Sequence, residues 1–174
     1  MDDTARRLVL LRHAKSDWPD VPDHERPLAR RGRRDAPLAG RWLRRSGYVP
    51  DAVVCSTARR ARETWDLAAA SLGRAVPVRY EPRAYGATVL GLLMLVRELP
   101  AEQHTVLFVG HNPGIAELAA GLAKRPEPDG GQAGRVPASF PTAAIAVLGF
   151  GEAWDAVGPG QGRLLAFAVP AGMR

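Results

Sequence analysis

The sequence predicts an α/β fold, a three-layer α/β/α sandwich around a six-stranded, mainly parallel sheet. Two observations carry that expectation. Short valine-rich apolar runs alternate with longer segments of helical period, and three of the runs end in polar and basic clusters, where parallel sheets build their ligand crevices. The chain has 174 residues, 46% of them hydrophobic, which suits a single domain spanning 1–174 with a sizeable core.

The elements follow in order. Arg7–Leu11 is the first strand, and it delivers Arg12 and His13 to the rim of the sheet. A helix is expected over Arg30–Arg45. Pro37 inside it removes an amide donor, so this helix should bend or start later. Ala52–Cys55 predicts the second strand, Ala58–Leu72 the second helix and Val76–Tyr80 the third strand. In the helix Thr88–Leu99, residues Val89, Leu92, Leu93, Val96 and Leu99 share one face, a core stripe. Thr105–Val109 is the fourth strand. It is followed by the helix Pro113–Ala123, whose Ile115, Leu118, Ala119 and Leu122 form a second core stripe. Lys124 to Pro141, with four prolines and three glycines, reads as a long loop. Ala143–Phe150 and Leu164–Val169 are the last strands, joined by a Gly-rich connection from Gly149 to Gly162 as a hairpin at the sheet edge.

Composition narrows the partners. The net charge of +6 is carried almost wholly by arginine, Lys15 and Lys124 being the only lysines. That balance favours anionic ligands. The arginines spread over several amphipathic segments without an aromatic-interleaved stripe, so nucleic acid is not the expected partner. No apolar stretch approaches a membrane span, and the amino-terminal residues lack the pattern of a secretory signal. Cys55, the single cysteine, reads as a small core residue; no intrachain disulfide can form, and a cytoplasmic location is expected.

Three clusters lie at strand ends that parallel sheets bring to one side. Arg12-His13 follows the first strand, Ser56 to Arg60 the second, and Gly110-His111-Asn112 the fourth. Ser56 is placed to cap a helix whose first turn bears Arg59, Arg60 and Arg62, and guanidiniums grip phosphate oxygens with charge-assisted bidentate bonds. Each cluster alone has a bland reading as a solvated loop or helix face. Together they would gather two imidazoles and at least two guanidiniums around one oxyanion, a concentration with no structural use.

The runs VLLRHAKS, RPLARRGRRDA, CSTARRARETW, LFVGHNPGI and FPTAAIAVLGF, in that order from about Leu8 to Val169, resemble the histidine phosphatase superfamily. The resemblance is to the phosphoglycerate mutase-like branch 1, and the short length and RHAKSDW are most similar to phosphohistidine phosphatases of the SixA type. It implies that His13 is the nucleophile, forming a transient phosphohistidine, while Arg12, Arg60 and His111 hold the phosphoryl oxygens. It selects Arg60 over Arg59 by spacing, and implies no metal and no cofactor. The substrate it implies is a phosphorylated protein, such as a phosphotransfer domain, or a small phosphorylated metabolite. The alternatives are a small-molecule phosphomonoesterase and a catalytically weak phosphate-binding module.

The resemblance breaks at the general acid. Relatives carry a glutamate shortly before a Tyr-Gly pair; here the text is YEPRAYG, with Pro82 at the expected place and Glu81 one residue earlier. Glu81 is the candidate acid, although a one-residue shift along extended backbone turns a side chain to the opposite face. Asp17 and Glu25 are weaker candidates. Pro19 replaces a phosphate-contacting asparagine of the mutases, with Lys15 and Ser16 as the nearby substitutes. A weakened acid suits phosphohistidine or an aryl phosphate better than an alkyl ester, whose leaving group needs the proton most.

Overall fold

The computed structural model describes residues 5–126 and 134–173. Six strands form one sheet: β1 (Arg6–Arg12), β2 (Ala52–Ser56), β3 (Val78–Glu81), β4 (Thr105–Gly110), β5 (Ile145–Phe150) and β6 (Arg163–Ala168). Four helices connect them: α1 (Arg30–Arg45), α2 (Arg59–Ala69), α3 (Val89–Arg97) and α4 (Gly114–Leu122). Short 3₁₀ turns occur at Asp23–Glu25, Pro82–Ala84, Trp154–Ala156 and Pro170–Gly172.

The strand order is β3-β2-β4-β1-β5-β6. The first four in that order run parallel, while β5 is antiparallel to β1 and β6 to β5. The last two strands therefore make the expected hairpin at the sheet edge.

Side-chain alternation divides the core into two layers. Leu8, Leu10, Val106, Phe108, Ala146 and Leu148 pack with Leu92, Val96, Ile115 and Leu118 of α3 and α4. Their neighbours Val9, Leu11, Val53, Leu107, Val109 and Val147 face Ala39, Leu43, Ala61 and Trp65 of α1 and α2. Burial on both faces is why the strands read as unbroken apolar runs instead of alternating ones. Each fully buried Leu or Val contributes about 1.5–3 kcal/mol by removal from water. Cys55 lies in the second layer, where burial pushes its thiol well above the usual range.

Three expectations are adjusted. α1 begins at Arg30 with Pro37 inside it, so the start is not delayed; burial of Ala36, Ala39, Gly40 and Leu43 outweighs one missing amide donor. Val89 is exposed, and Leu95 joins Leu92, Leu93 and Val96 in the buried stripe of α3. β5 begins at Ile145, because Ala143 takes a positive φ of 60° and its turn is closed by the Ala144 N–H on the Pro141 carbonyl, 3.1 Å. Of the long loop expected from Lys124 to Pro141, residues 127–133 lie outside the described residues; the described flanks carry no helix or strand. Among the described residues no helix is long and apolar enough to cross a membrane.

Candidate active site

The strand order places β1, β4 and β2 side by side, so their carboxyl ends meet. Arg12 closes β1, Ser56 closes β2 and Gly110 closes β4. A cleft of about 230 Å³ opens there, and Arg12, His13, Arg60 and His111 all line it. The three clusters picked out along the chain thus share one site.

The backbone around His13 is fixed on every side. Its N–H donates to the Gly110 carbonyl at 2.9 Å, and its own carbonyl and that of Arg12 accept from the Ala143 N–H at 3.2 and 3.1 Å. The left-handed backbone of Ala143, costing about 1–2 kcal/mol for a residue with a Cβ, aims that amide at the β1 terminus. The Ala14 N–H donates to Thr64 Oγ1 at 3.0 Å, and Thr64 donates on to the Arg60 carbonyl at 2.7 Å, tying this turn to α2. A Cβ on Gly32 would collide with the Lys15 carbonyl, so only glycine lets α1 approach the same turn.

His13 Nδ1 lies 2.8 Å from the Ala14 carbonyl. A carbonyl only accepts, so Nδ1 must carry the proton, and Nε2 of the neutral ring is left with a free lone pair. Burial pushes the His13 pKa down to about 3, and the positive charges of Arg60 and Arg12 push in the same direction. Only 8% of His13 is exposed, so it forms the floor of the cleft.

His111 stands 5.0 Å from His13, ring centre to ring centre. Its Nε2 is 2.7 Å from Ser56 Oγ, while its Nδ1 is buried without a partner among the described residues. Burial, then Arg60, lowers its pKa to about 4. Ser56 therefore does not cap α2, whose N-cap is Ala58; it accepts weakly from the Ala58 N–H at 3.3 Å and orients His111 instead. The Arg12 Nη1 donates to the Phe140 carbonyl at 3.1 Å, and its Nε is buried without a partner among the described residues.

Arg60 points into the cleft from the first turn of α2, whereas Arg59 pairs with Glu63 at 2.8 Å and Arg62 donates to the Thr57 carbonyl at 3.0 Å. Arg60 is held by Asp23 twice, at 2.7 Å from Nη1 to the carbonyl and 3.1 Å from Nη2 to Oδ2. The Asp23 carboxylate also accepts from Tyr85 Oη at 2.5 Å and from Arg26 Nη1 at 3.0 Å. Those bonds hold it well below the usual carboxylate range, Tyr85 first and Arg26 next.

The sequence pattern does not single out Asp23, Tyr85, Arg26 or Trp18 as site residues. Arg26 lies within the matching run RPLARRGRRDA without an implied role, and Tyr85 belongs to the Tyr-Gly pair that follows the missing acid. Asn112 and Thr142 also line the cleft, as do Lys15 and Ser16. Pro19 does not line it.

Glu81 is not among the residues brought together here. Its Oε1 accepts from Arg83 N and Nε, both at 3.0 Å, and its Oε2 from Arg83 Nη2 at 3.1 Å. The one-residue shift has turned it into a cap for the 3₁₀ turn after β3, with Arg83 holding it below the usual range. Asp17 accepts from the Trp18 N–H at 2.9 Å and Glu25 pairs with His24 at 3.0 Å; neither lines the cleft. Among the described residues, none of those lining it is a carboxylate. Nor do the described residues hold a group of three or more His, Cys, Asp or Glu suited to a metal ion.

In an NMR pH titration of the ligand-free protein, the His13 and His111 ring signals are expected to stay those of neutral imidazole from about pH 8 to about pH 5. Their lowered pKa values put protonation below that range. A midpoint near the ordinary 6.5 for either ring would contradict the burial that the geometry shows.

Residues 8–84 match the histidine phosphatase superfamily, branch 1. The uncharacterized protein Rv1276c of Mycobacterium tuberculosis is 44% identical over 161 residues, which cover 92% of this chain and 99% of the relative. A Nakamurella multipartitia structure assigned as the phosphohistidine phosphatase SixA superposes with a TM-score of 0.78 at 36% identity, covering 94% of this chain and 95% of that one. An Agrobacterium tumefaciens structure with the same assignment gives 0.75 at 30% identity, covering 94% and 97%.

Proposed function

Because the chain belongs to the histidine phosphatase superfamily and is a phosphatase of the SixA type, we propose that it removes the phosphoryl group from phosphohistidine on a protein partner, with His13 as nucleophile. The observation that carries this reading is the His13 imidazole, with Nδ1–H spent on Ala14, Nε2 free, and guanidiniums of Arg12 and Arg60 lining the same cleft.

In the first step the Nε2 lone pair attacks phosphorus, and the bond to the leaving group breaks with its electron pair departing on that group. In the second, water attacks phosphorus, the pair of the P–N bond returns to Nε2, and the water protons leave with orthophosphate and solvent. Nδ1 keeps its proton throughout, so the phosphorylated ring is cationic and is itself a good leaving group. Arg12 and Arg60 take the equatorial oxygens and stabilise the charge spread over them. His111 joins them through Nδ1–H in the neutral tautomer whose Nε2 accepts a hydrogen bond from the Ser56 hydroxyl.

The lack of a carboxylate among the described residues lining the cleft supports phosphohistidine over an alkyl phosphate. A phosphoimidazole protonated on its far nitrogen departs as neutral imidazole, and no side chain has to deliver a proton as the bond breaks. The single, buried Cys55, with no second cysteine in the sequence to pair with, suits a cytoplasmic setting for such a partner.

The test compares kcat/KM on a histidine-phosphorylated phosphotransfer protein with that on sugar and aryl phosphates. We expect the protein substrate to be preferred by at least about tenfold. Equal or faster turnover of a sugar phosphate would replace this reading with a small-molecule phosphomonoesterase. Binding of phosphate without turnover of any donor would leave a phosphate-binding module.

A further inference from the structure

Trp18 is 74% exposed, the most exposed large apolar side chain among the described residues, and it lines the same cleft as His13. A bare indole on a loop would ordinarily be mobile. This one is anchored: its backbone N–H is bonded to Asp17 Oδ1 at 2.9 Å, and one side of its ring is covered by the Arg26 guanidinium 3.2 Å from the ring centre. Arg26 is in turn immobilised by Ser16 Oγ at 2.6 Å, the Asp17 carbonyl at 3.0 Å and Asp23 at 3.0 Å. A cation–π contact backed by three hydrogen bonds fixes the ring before any ligand arrives.

The direction of the chemistry makes this position informative. Phosphoryl transfer needs nucleophile and leaving group roughly in line through phosphorus. His13 is buried on the floor, so the leaving group lies on the open side of the cleft, where Trp18 and Lys15 are the exposed lining residues. Among the described residues lining it, Trp18 contributes the one aromatic ring besides the two histidines. A rigid aromatic that leaves one side uncovered favours a flat ring stacked on it, and discriminates little among flexible chains.

We propose that Trp18 is a platform for the leaving group, selecting phosphoryl donors whose leaving group is a planar ring, the imidazole of phosphohistidine foremost. The inference rests on the phosphatase reading above and deepens it, because it assigns the choice of leaving group to a residue outside the set that holds the phosphoryl.

The test measures kcat/KM for N-phosphoimidazole and p-nitrophenyl phosphate, which carry rings, and for phosphoramidate, which has the same P–N bond as the first and no ring. The readout is the ratio of ring to ringless substrate, which a general loss of activity or folding does not move. In Trp18→Ala the ratio is expected to fall about five- to tenfold, mostly through KM for the ring substrates, and Trp18→Phe is expected to restore most of it. An unchanged ratio in Trp18→Ala, including an equal loss on all three substrates, overturns the platform alone. If the unaltered protein releases phosphate from a histidine-phosphorylated phosphotransfer protein but turns over none of the three, the platform alone is overturned; if it turns over neither, the phosphatase reading fails and the platform falls with it.

Discussion

Replacing His13 with alanine is expected to lower phosphate release by at least about 10⁴-fold, and the unaltered protein, quenched during turnover, is expected to carry phosphate on Nε2 of His13. The position of the phosphoryl follows from the Ala14 carbonyl, which accepts only and therefore fixes the proton on Nδ1. The size of the loss follows from the absence of a stand-in. His111 is the other imidazole in the cleft, but its Nε2 is engaged by Ser56 and its Nδ1 is buried. The measurement is a phosphorus–nitrogen correlation spectrum of the labelled protein, with circular dichroism on His13→Ala to show that the fold persists. Phosphate on Nδ1, or a variant keeping a tenth of the activity, would remove His13 from the role given to it.

That assignment combines what the sequence makes legible with what it hides. Arg12, His13, Arg60 and His111 are legible because each follows a strand end, and parallel topology sends those ends to one side. Their common site needs only the order of elements. The attacking nitrogen is hidden, since it depends on one carbonyl 2.8 Å from the ring. Asp23 and Tyr85 are hidden for a related reason: 62 positions separate them, and they meet only where the loop before α1 folds across the turn after β3. Glu81 is the instructive case. The sequence shows both the candidate and the one-residue shift that should disable it, and the structure shows where the shifted side chain goes, into the grip of Arg83. Val89 and the start of β5 depart from the sequence expectation because periodicity alone does not show the end of a helix or a residue with positive φ.

Arg60→Ala is expected to lower kcat/KM by about 10²–10³-fold, the usual loss when one donor aimed at developing charge is removed. The neighbour of Arg60 makes the prediction more specific. Asp23 Oδ2 is bonded to Arg60 Nη2, and that carboxylate stays ionised because Tyr85 and Arg26 also donate to it. Removing the guanidinium therefore does more than delete a grip on phosphate. It leaves a negative charge facing the substrate's own, with half of the Asp23 side chain open to solvent to soften the repulsion. Neutralising that charge in Arg60→Ala/Asp23→Asn should recover up to about tenfold of the loss, so the two substitutions should be non-additive. Asp23→Asn alone should raise KM, since Arg60 loses the partner that orients it, while kcat changes less. Arg60→Lys should recover little, because an ammonium keeps the charge and loses the planar fork that reaches Asp23 and a phosphoryl oxygen together. Additive effects in the double variant would mean that Asp23 does not act through Arg60, and a loss below about fivefold in Arg60→Ala would mean that its guanidinium does not meet the phosphoryl group.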